Sequence, residues 1–173
     1  MDPISFSIKS SLDQRGKVTF VNDFDMTEVK RSYVVTNTLL KTVRAWHGHV
    51  SEKKWITVQK GEFLVCVVKV DSFDNPDENA EVREYVLNAE NNVLFIPGGY
   101  ANGAMNLTDE NEIRYFSSTS LEESSNDDFR IGAQFWNPWK KHNPNFYEQY
   151  FNIRCRWHAW EYACSSILTK IIR

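Results

Sequence analysis

The segment Arg44-Ala45-Trp46-His47-Gly48-His49 is the densest group of chemically capable side chains in the 173-residue chain, and Glu52, Lys53 and Lys54 follow it closely. Imidazole exchanges a proton near neutral pH, its unperturbed pKa being ~6.5. Residues two apart in an extended strand point to the same face, so His47 and His49 are expected to aim together into a barrel interior or mouth. A histidine pair on one face, beside an arginine and a lysine, is a candidate functional cluster. If a strand continues through Lys54-Trp55-Ile56-Thr57-Val58, Lys54 shares a face with Ile56 and Val58 and is expected to point inward.

The elements that must position this cluster are β-strands. Short β-rich runs at 18–21, 32–36, 42–46, 55–58, 63–70, 82–87 and 93–96 are separated by turn residues, without intervening helical repeats. This pattern predicts an all-β sandwich or barrel rather than βαβ units. The run 63–70 is apolar at nearly every position and is expected to be a central strand covered on both faces. Lys60-Gly61, the 74–79 segment and Pro97-Gly98-Gly99 fall between runs and predict hairpin connections. The acidic stretch 122–128 reads as a solvated loop.

Length and composition narrow the function. A chain of 173 residues with 42% apolar and 25% charged side chains is sized for one folded domain. Its formal charge of -3 gives no global positive field for a nucleic-acid backbone. Cys66, Cys155 and Cys164 match neither a zinc site nor a disulfide framework, which points to a reducing, cytoplasmic compartment. No segment is long and apolar enough to span a bilayer. The tail 141–173 carries five Lys/Arg against two acids, and Trp160, Ala163, Cys164, Ile167, Leu168 and Ile171 recur at helical spacing. An amphipathic helix is expected there, docked on the barrel or on a neighbouring subunit in preference to a membrane surface.

The run His47-x-His49, Gly61 and Pro97-x-Gly99-x-x-Asn102-x-x-x-Asn106 resembles the two signature motifs of the cupin superfamily, double-stranded β-helix barrels. Metal-binding cupins use a glutamate where this chain has Lys54, and a histidine where it has Asn102. An ammonium repels a divalent cation and an amide oxygen is a weak ligand, so no metal and no other cofactor is expected. Glu52, the nearby acid, is out of register for the missing ligand.

A closer resemblance is to the dTDP-4-dehydrorhamnose 3,5-epimerases and their ketoisomerase relatives. Their pieces occur in family order: Asp13-Gln14-Arg15-Gly16, Arg44-x-x-His47, Lys54, Gly61-Glu62, Val68-Lys69-Val70-Asp71, Leu87-x-Ala89-Glu90-Asn91, Ile96-Pro97-x-Gly99-Tyr100-Ala101-x-Gly103 and Tyr115. The resemblance implies metal-independent epimerisation of a nucleotide-activated 4-keto-6-deoxy sugar, in surface-polysaccharide precursor synthesis. By the same resemblance His47 is the base, Lys54 stabilises the enolate, Tyr115 is the acid, and Arg15 and Arg44 bind the diphosphate. His49 and Asn102 are further substrate-binding positions, and a homodimer is implied. The barrel is assigned to 1–140 and the extension to 141–173.

Two departures keep alternatives open. Family epimerases orient the histidine with a C-terminal aspartate, and no Asp follows residue 130, which leaves Asp71 or an acid of 122–128 as substitutes. The His-x-His pair also resembles the dTDP-4-keto-6-deoxyglucose 3,4-ketoisomerases. A non-catalytic cupin that binds a sugar or nucleotide is the third reading.

Overall fold

The computed structural model describes residues 1–146, so the helix expected in the tail lies outside the described residues. One compact unit spans Met1–Asn137, and a second begins at Pro138 with a short 3-10 helix, Pro138–Lys141. The first unit ends three residues before the boundary expected at 140.

Among the described residues twelve strands follow one another along the chain. They are β1 (Ile4–Ser7), β2 (Lys9–Asp13), β3 (Gly16–Phe20), β4 (Arg31–Val35), β5 (Val43–His49), β6 (Lys54–Lys60), β7 (Glu62–Lys69), β8 (Val82–Asn88), β9 (Asn92–Ile96), β10 (Tyr100–Asn106), β11 (Glu112–Ser117) and β12 (Phe129–Arg130). One antiparallel sheet has the order β1-β9-β6-β11-β4 and the other β12-β5-β10-β7-β8, while β2 and β3 form a separate ribbon. This is the cupin-type architecture that the sequence predicted.

Alternation builds the core. Ile56 and Val58 of β6, Phe63, Val65 and Val67 of β7, and Ile113 and Tyr115 of β11 meet in one buried cluster. Cutting a fully buried Ile56 or Ile113 back to alanine would cost about 2–5 kcal/mol. The opposite face of the first sheet carries Trp55, Val93 and Phe95, covered by Phe6, Ile8, Val21, Phe24 and Val29 from the N-terminal segment. Strand β7 has six consecutive buried positions and lies between β10 and β8, the central placement its sequence predicted.

The expectation of hairpins is corrected at two turns. β7 and β8 do pair across their loop, but the Gly61 turn carries the chain from β6 in one sheet to β7 in the other. The Pro97-Gly98-Gly99 turn likewise leads from β9 to β10 in the opposite sheet. Turn residues report a chain reversal, whereas the layer a strand joins is decided by which faces must be buried together. Gly61 has φ +69, and a Cβ there would run into the Glu110 carbonyl and Thr108, so this crossing needs glycine.

The 122–128 stretch is also corrected. It contains a one-turn helix, α1 (Leu121–Ser125), opened by a reciprocal capping box in which Ser120 and Glu123 satisfy each other's backbone N–H groups. Its Ser124 is buried. That short helix brings the polar stretch to the mouth of the barrel.

Candidate active site

Between the two sheets lies a cavity of about 290 Å³. The first sheet lines it with Arg31, Tyr33 and Val35 of β4, Lys54 of β6 and Tyr115 of β11. The second contributes Arg44, His47 and His49 of β5, Asn102 of β10 and Arg130 of β12, and α1 and Asp128 close one side. Of the seven residues singled out from sequence, six therefore line one cavity.

Arg15 is the exception. It sits at the tip of the β2–β3 ribbon, its side chain 85% exposed and paired at 2.6 Å with Asp13, away from this cavity. Leu12 and Val18 of this ribbon are exposed as well, so no apolar packing folds its tip inward onto the sheets.

Arg44 and His47 are three apart, a spacing that puts side chains on opposite faces of a regular strand. Here the β5–β10 register shifts between the pairs Asn102↔His47 and Ala104↔Arg44. This bulge returns Arg44 to the inward side along with both histidines. Gly48, between the histidines, lies under the Phe73 ring, which a Cβ would strike. Asn102 donates its side-chain N–H to the His47 carbonyl at 2.9 Å, pinning β10 to β5 beside the bulge. Arg44 Nε donates to Asn37 Oδ1 at 2.8 Å, and Asn37 is held in turn by the buried Asn106 and Asn111.

Lys54 is only 5% exposed, and its Nζ lies 2.9 Å from His49 Nε2. Its direct imidazole partner is therefore His49. The His49 Nδ1 lies against the Asp127 carbonyl, which accepts its N–H and leaves Nε2 as the acceptor for the lysine. The Glu52 carboxylate lies 3.4 Å from His49 Nδ1 and 3.8 Å from Lys54 Nζ. Burial pushes the Lys54 pKa down to about 8 against the opposing pull of Glu52. Burial and then the Lys54 charge hold His49 below its ordinary value.

His47 corrects two expectations. Its pKa was expected near 6.5, but burial, then Arg130 and Lys54, push it down to about 3. Its expected carboxylate partner is replaced by a guanidinium, since Arg130 Nη1 lies against His47 Nδ1. The acids considered for that place are otherwise disposed. Asp71 is exposed, and the Asp127 carboxylate accepts from the backbone N–H of Val50, Ser51 and Glu52. Asp128 pairs with Arg130 at 2.7 Å.

Tyr115 stacks on Tyr33 with ring centroids 5.0 Å apart, and Arg31 lies over the Tyr33 ring. Burial raises both phenols, Tyr33 to about 12 and Tyr115 further still, so both are protonated donors at neutral pH. Sequence reasoning missed Arg31, Tyr33, Ser124 and Arg130, and it left Glu52 and Asp128 without a definite place. The alternation Arg31-x-Tyr33-x-Val35 carried the signal for two of them. A metal does not fit this donor set, because the Lys54 amine already occupies the His49 nitrogen that a cation would need. Among the described residues, no three His, Cys, Asp or Glu side chains cluster as ligands.

Fold and site together define a cupin-type barrel with a polar cavity that is open at its rim. Residues 5–137 match the family described as dTDP-4-dehydrorhamnose 3,5-epimerase, and the chain belongs to that family of sugar-nucleotide epimerases and isomerases. No curated protein matches the sequence significantly.

Solved structures share the fold. The dTDP-4-dehydrorhamnose 3,5-epimerase of Bacillus anthracis, with TDP and PPi bound, is 19% identical over 80% of this chain and 85% of its own, with a TM-score of 0.64. The Mycobacterium tuberculosis rmlC epimerase is 15% identical over 75% of this chain and 68% of its own, with a TM-score of 0.61. The sugar 3,4-ketoisomerase QdtA of Thermoanaerobacterium thermosaccharolyticum, in complex with TDP, is 18% identical over 82% and 97%, with a TM-score of 0.59.

Proposed function

We propose that the chain epimerises a nucleotide-activated 4-keto-6-deoxy sugar without a metal. The observation that carries this reading is the convergence of His47, Lys54 and Tyr115, from three strands of two sheets, on a cavity that also holds Arg31, Arg44 and Arg130. Four cationic side chains against Asp128 and the adjacent Glu52, in a chain of net charge -3, suit a ligand carrying a diphosphate.

In this mechanism neutral His47 removes the proton α to the C4 ketone, and the electron pair moves onto the carbonyl oxygen. The Lys54 ammonium holds that oxyanion. The Tyr115 phenol returns a proton to the carbon from the opposite face as the carbonyl re-forms, and solvent exchange resets both groups. Arg44, Arg31 and Arg130 hold the diphosphate, while His49 and Asn102 shape the pocket beneath it. Arg15, named for the diphosphate by family resemblance, has no such role in this chain's own cavity. A homodimer would cover sheet edges such as β4 and β8. A cytoplasmic setting, in surface-polysaccharide precursor synthesis, fits the substrate class.

The test is solvent deuterium incorporation. An epimerase acting on a dTDP-linked 4-keto-6-deoxy sugar in D2O exchanges the hydrogen at C3 or C5 and retains the 4-ketone. The pairing of His49 with Lys54 favours a second reading, 3,4-ketoisomerisation, which would give a 3-keto product instead. Tight binding without exchange would leave a sugar-nucleotide-binding cupin, and absence of both exchange and binding would end the enzyme reading.

A further inference from the structure

We infer that Glu52 is the working carboxylate of this site, a positioning residue that keeps His49 and Lys54 together as one proton-sharing pair on the cavity floor. The role rests on the epimerase or ketoisomerase reading, because the pair matters where an oxyanion must be met by a proton.

Among the described residues, Glu52 is the only buried Asp or Glu. A carboxylate taken out of water is costly unless its lone pairs are satisfied. Here Ser124 Oγ donates to Oε2 at 2.6 Å, and Ser117 Oγ and Arg31 Nη2 donate to Oε1 at 2.9 and 3.3 Å. Burial alone would raise this carboxyl, but Lys54, Ser124, His49 and Ser117 together hold it below its usual value. It is a fixed negative charge at neutral pH.

The segment that carries it is fixed as well. The Asp127 carboxylate takes the N–H groups of residues 50–52, and the Asp127 carbonyl takes His49 Nδ1–H. One residue thus aims Glu52 and sets the His49 tautomer. With Nδ1 committed, one proton lies between Lys54 Nζ and His49 Nε2 at 2.9 Å, as an ammonium beside neutral imidazole or as an amine beside imidazolium.

The ionisable groups around Lys54 are His49 and His47 from β5, Arg31 from β4, Arg130 from β12, and the acids Asp128 and Glu52. Burial and the two arginines push the shared proton out, whereas Glu52 and Asp128 retain it. Asp128 is engaged with Arg130, so retention falls mainly to Glu52.

The test is NMR titration of the Lys54 Cε in the full chain, with the signal assigned by its loss in Lys54→Met. Lys54 is expected to titrate near 8 in the wild type and to become about tenfold more acidic in Glu52→Gln, with recovery in Glu52→Asp. The alkaline limb of turnover should move down in pH with it, and kcat should fall about 10–100-fold while KM changes by no more than about threefold. An unmoved Lys54 titration in folded Glu52→Gln overturns the inference, as does an Asp variant as impaired as the Gln variant.

If Glu52→Gln does not fold, the linkage is read in reverse from the Glu52 carboxyl, which should titrate higher in Lys54→Met; no change there overturns the inference equally. The two readings fail separately. Coupled titration without exchange on any sugar nucleotide sinks the proposed activity alone, whereas exchange without coupled titration sinks this inference alone.

Discussion

His47 and His49 stand two residues apart on one strand and face one cavity, yet their surroundings are opposite in kind. His49 is 4% exposed and clamped between Lys54, Glu52 and the Asp127 carbonyl. His47 sits at the rim against Arg130, whose side chain is 61% exposed. The strand period delivers both imidazoles to the cavity, but the partners that set their proton affinity come from other elements. For His49 these are β6, the loop before it and Asp127, and for His47 the short β12. The comparison suggests a division of labour, with a fixed pair on the floor to meet the oxyanion and a reachable base at the rim.

The largest effect should separate the two histidines. With His47 as base, His47→Ala is expected to lower deuterium exchange by about 10³–10⁴-fold while TDP affinity stays within a few fold. His49→Ala, which leaves the base in place but frees Lys54, should cost about 10-fold. Measuring exchange and TDP affinity in both variants checks this, and a greater loss in His49→Ala would reverse the roles. Arg44→Ala comes next, since it removes a cavity guanidinium held by Asn37. It should weaken TDP binding by roughly tenfold, readable by calorimetry, with a smaller change in kcat.

Arg130→Ala sharpens the contrast without removing either imidazole. Losing the neighbouring cation favours protonated His47, so its pKa should rise from about 3 toward the ordinary value. A reaction that needs neutral His47 would then lose activity on the acid side at higher pH than the wild type. Nitrogen-15 NMR of the imidazoles reads the shift directly, and His49, held by Lys54 and Glu52, should move much less.

What the sequence made legible is what alternation reports. Lys54 follows the inward parity of Ile56 and Val58, and His47 and His49 share a face as their spacing predicted. Strand β10, Tyr100-Ala101-Asn102-Gly103-Ala104-Met105-Asn106, escaped notice because small and polar residues give little strand signal, although all seven positions are buried between β5 and β7. Motif spacing relative to Gly61 does not place Glu52, because it lies in a loop where the Asp127 hydrogen bonds decide its direction. Arg130 was invisible for a related reason, since a two-residue strand carries no periodicity.

The smallest effect concerns stability. His47 is depressed in the folded state, so between about 6.5 and about 3 the unfolded chain binds the proton more readily than the folded one. Its contribution to stability is fully present above 6.5 and is lost as pH falls through that window. Carboxylates held low in the fold, such as Glu123, act in the same direction, but mainly from about one pH unit above their unfolded value of 4.5 downward. In the upper part of the interval between 4.5 and 6.5 the histidines therefore dominate. Thermal melts across that interval should show a shallower decline in His47→Gln than in wild type, by about 2–4 °C, the change that one kcal/mol produces in a chain of this length. A parallel decline in the two proteins would mean that His47 is hydrated and free of Arg130 in solution, and the rim and floor of the cavity would then differ in kind from their geometry here.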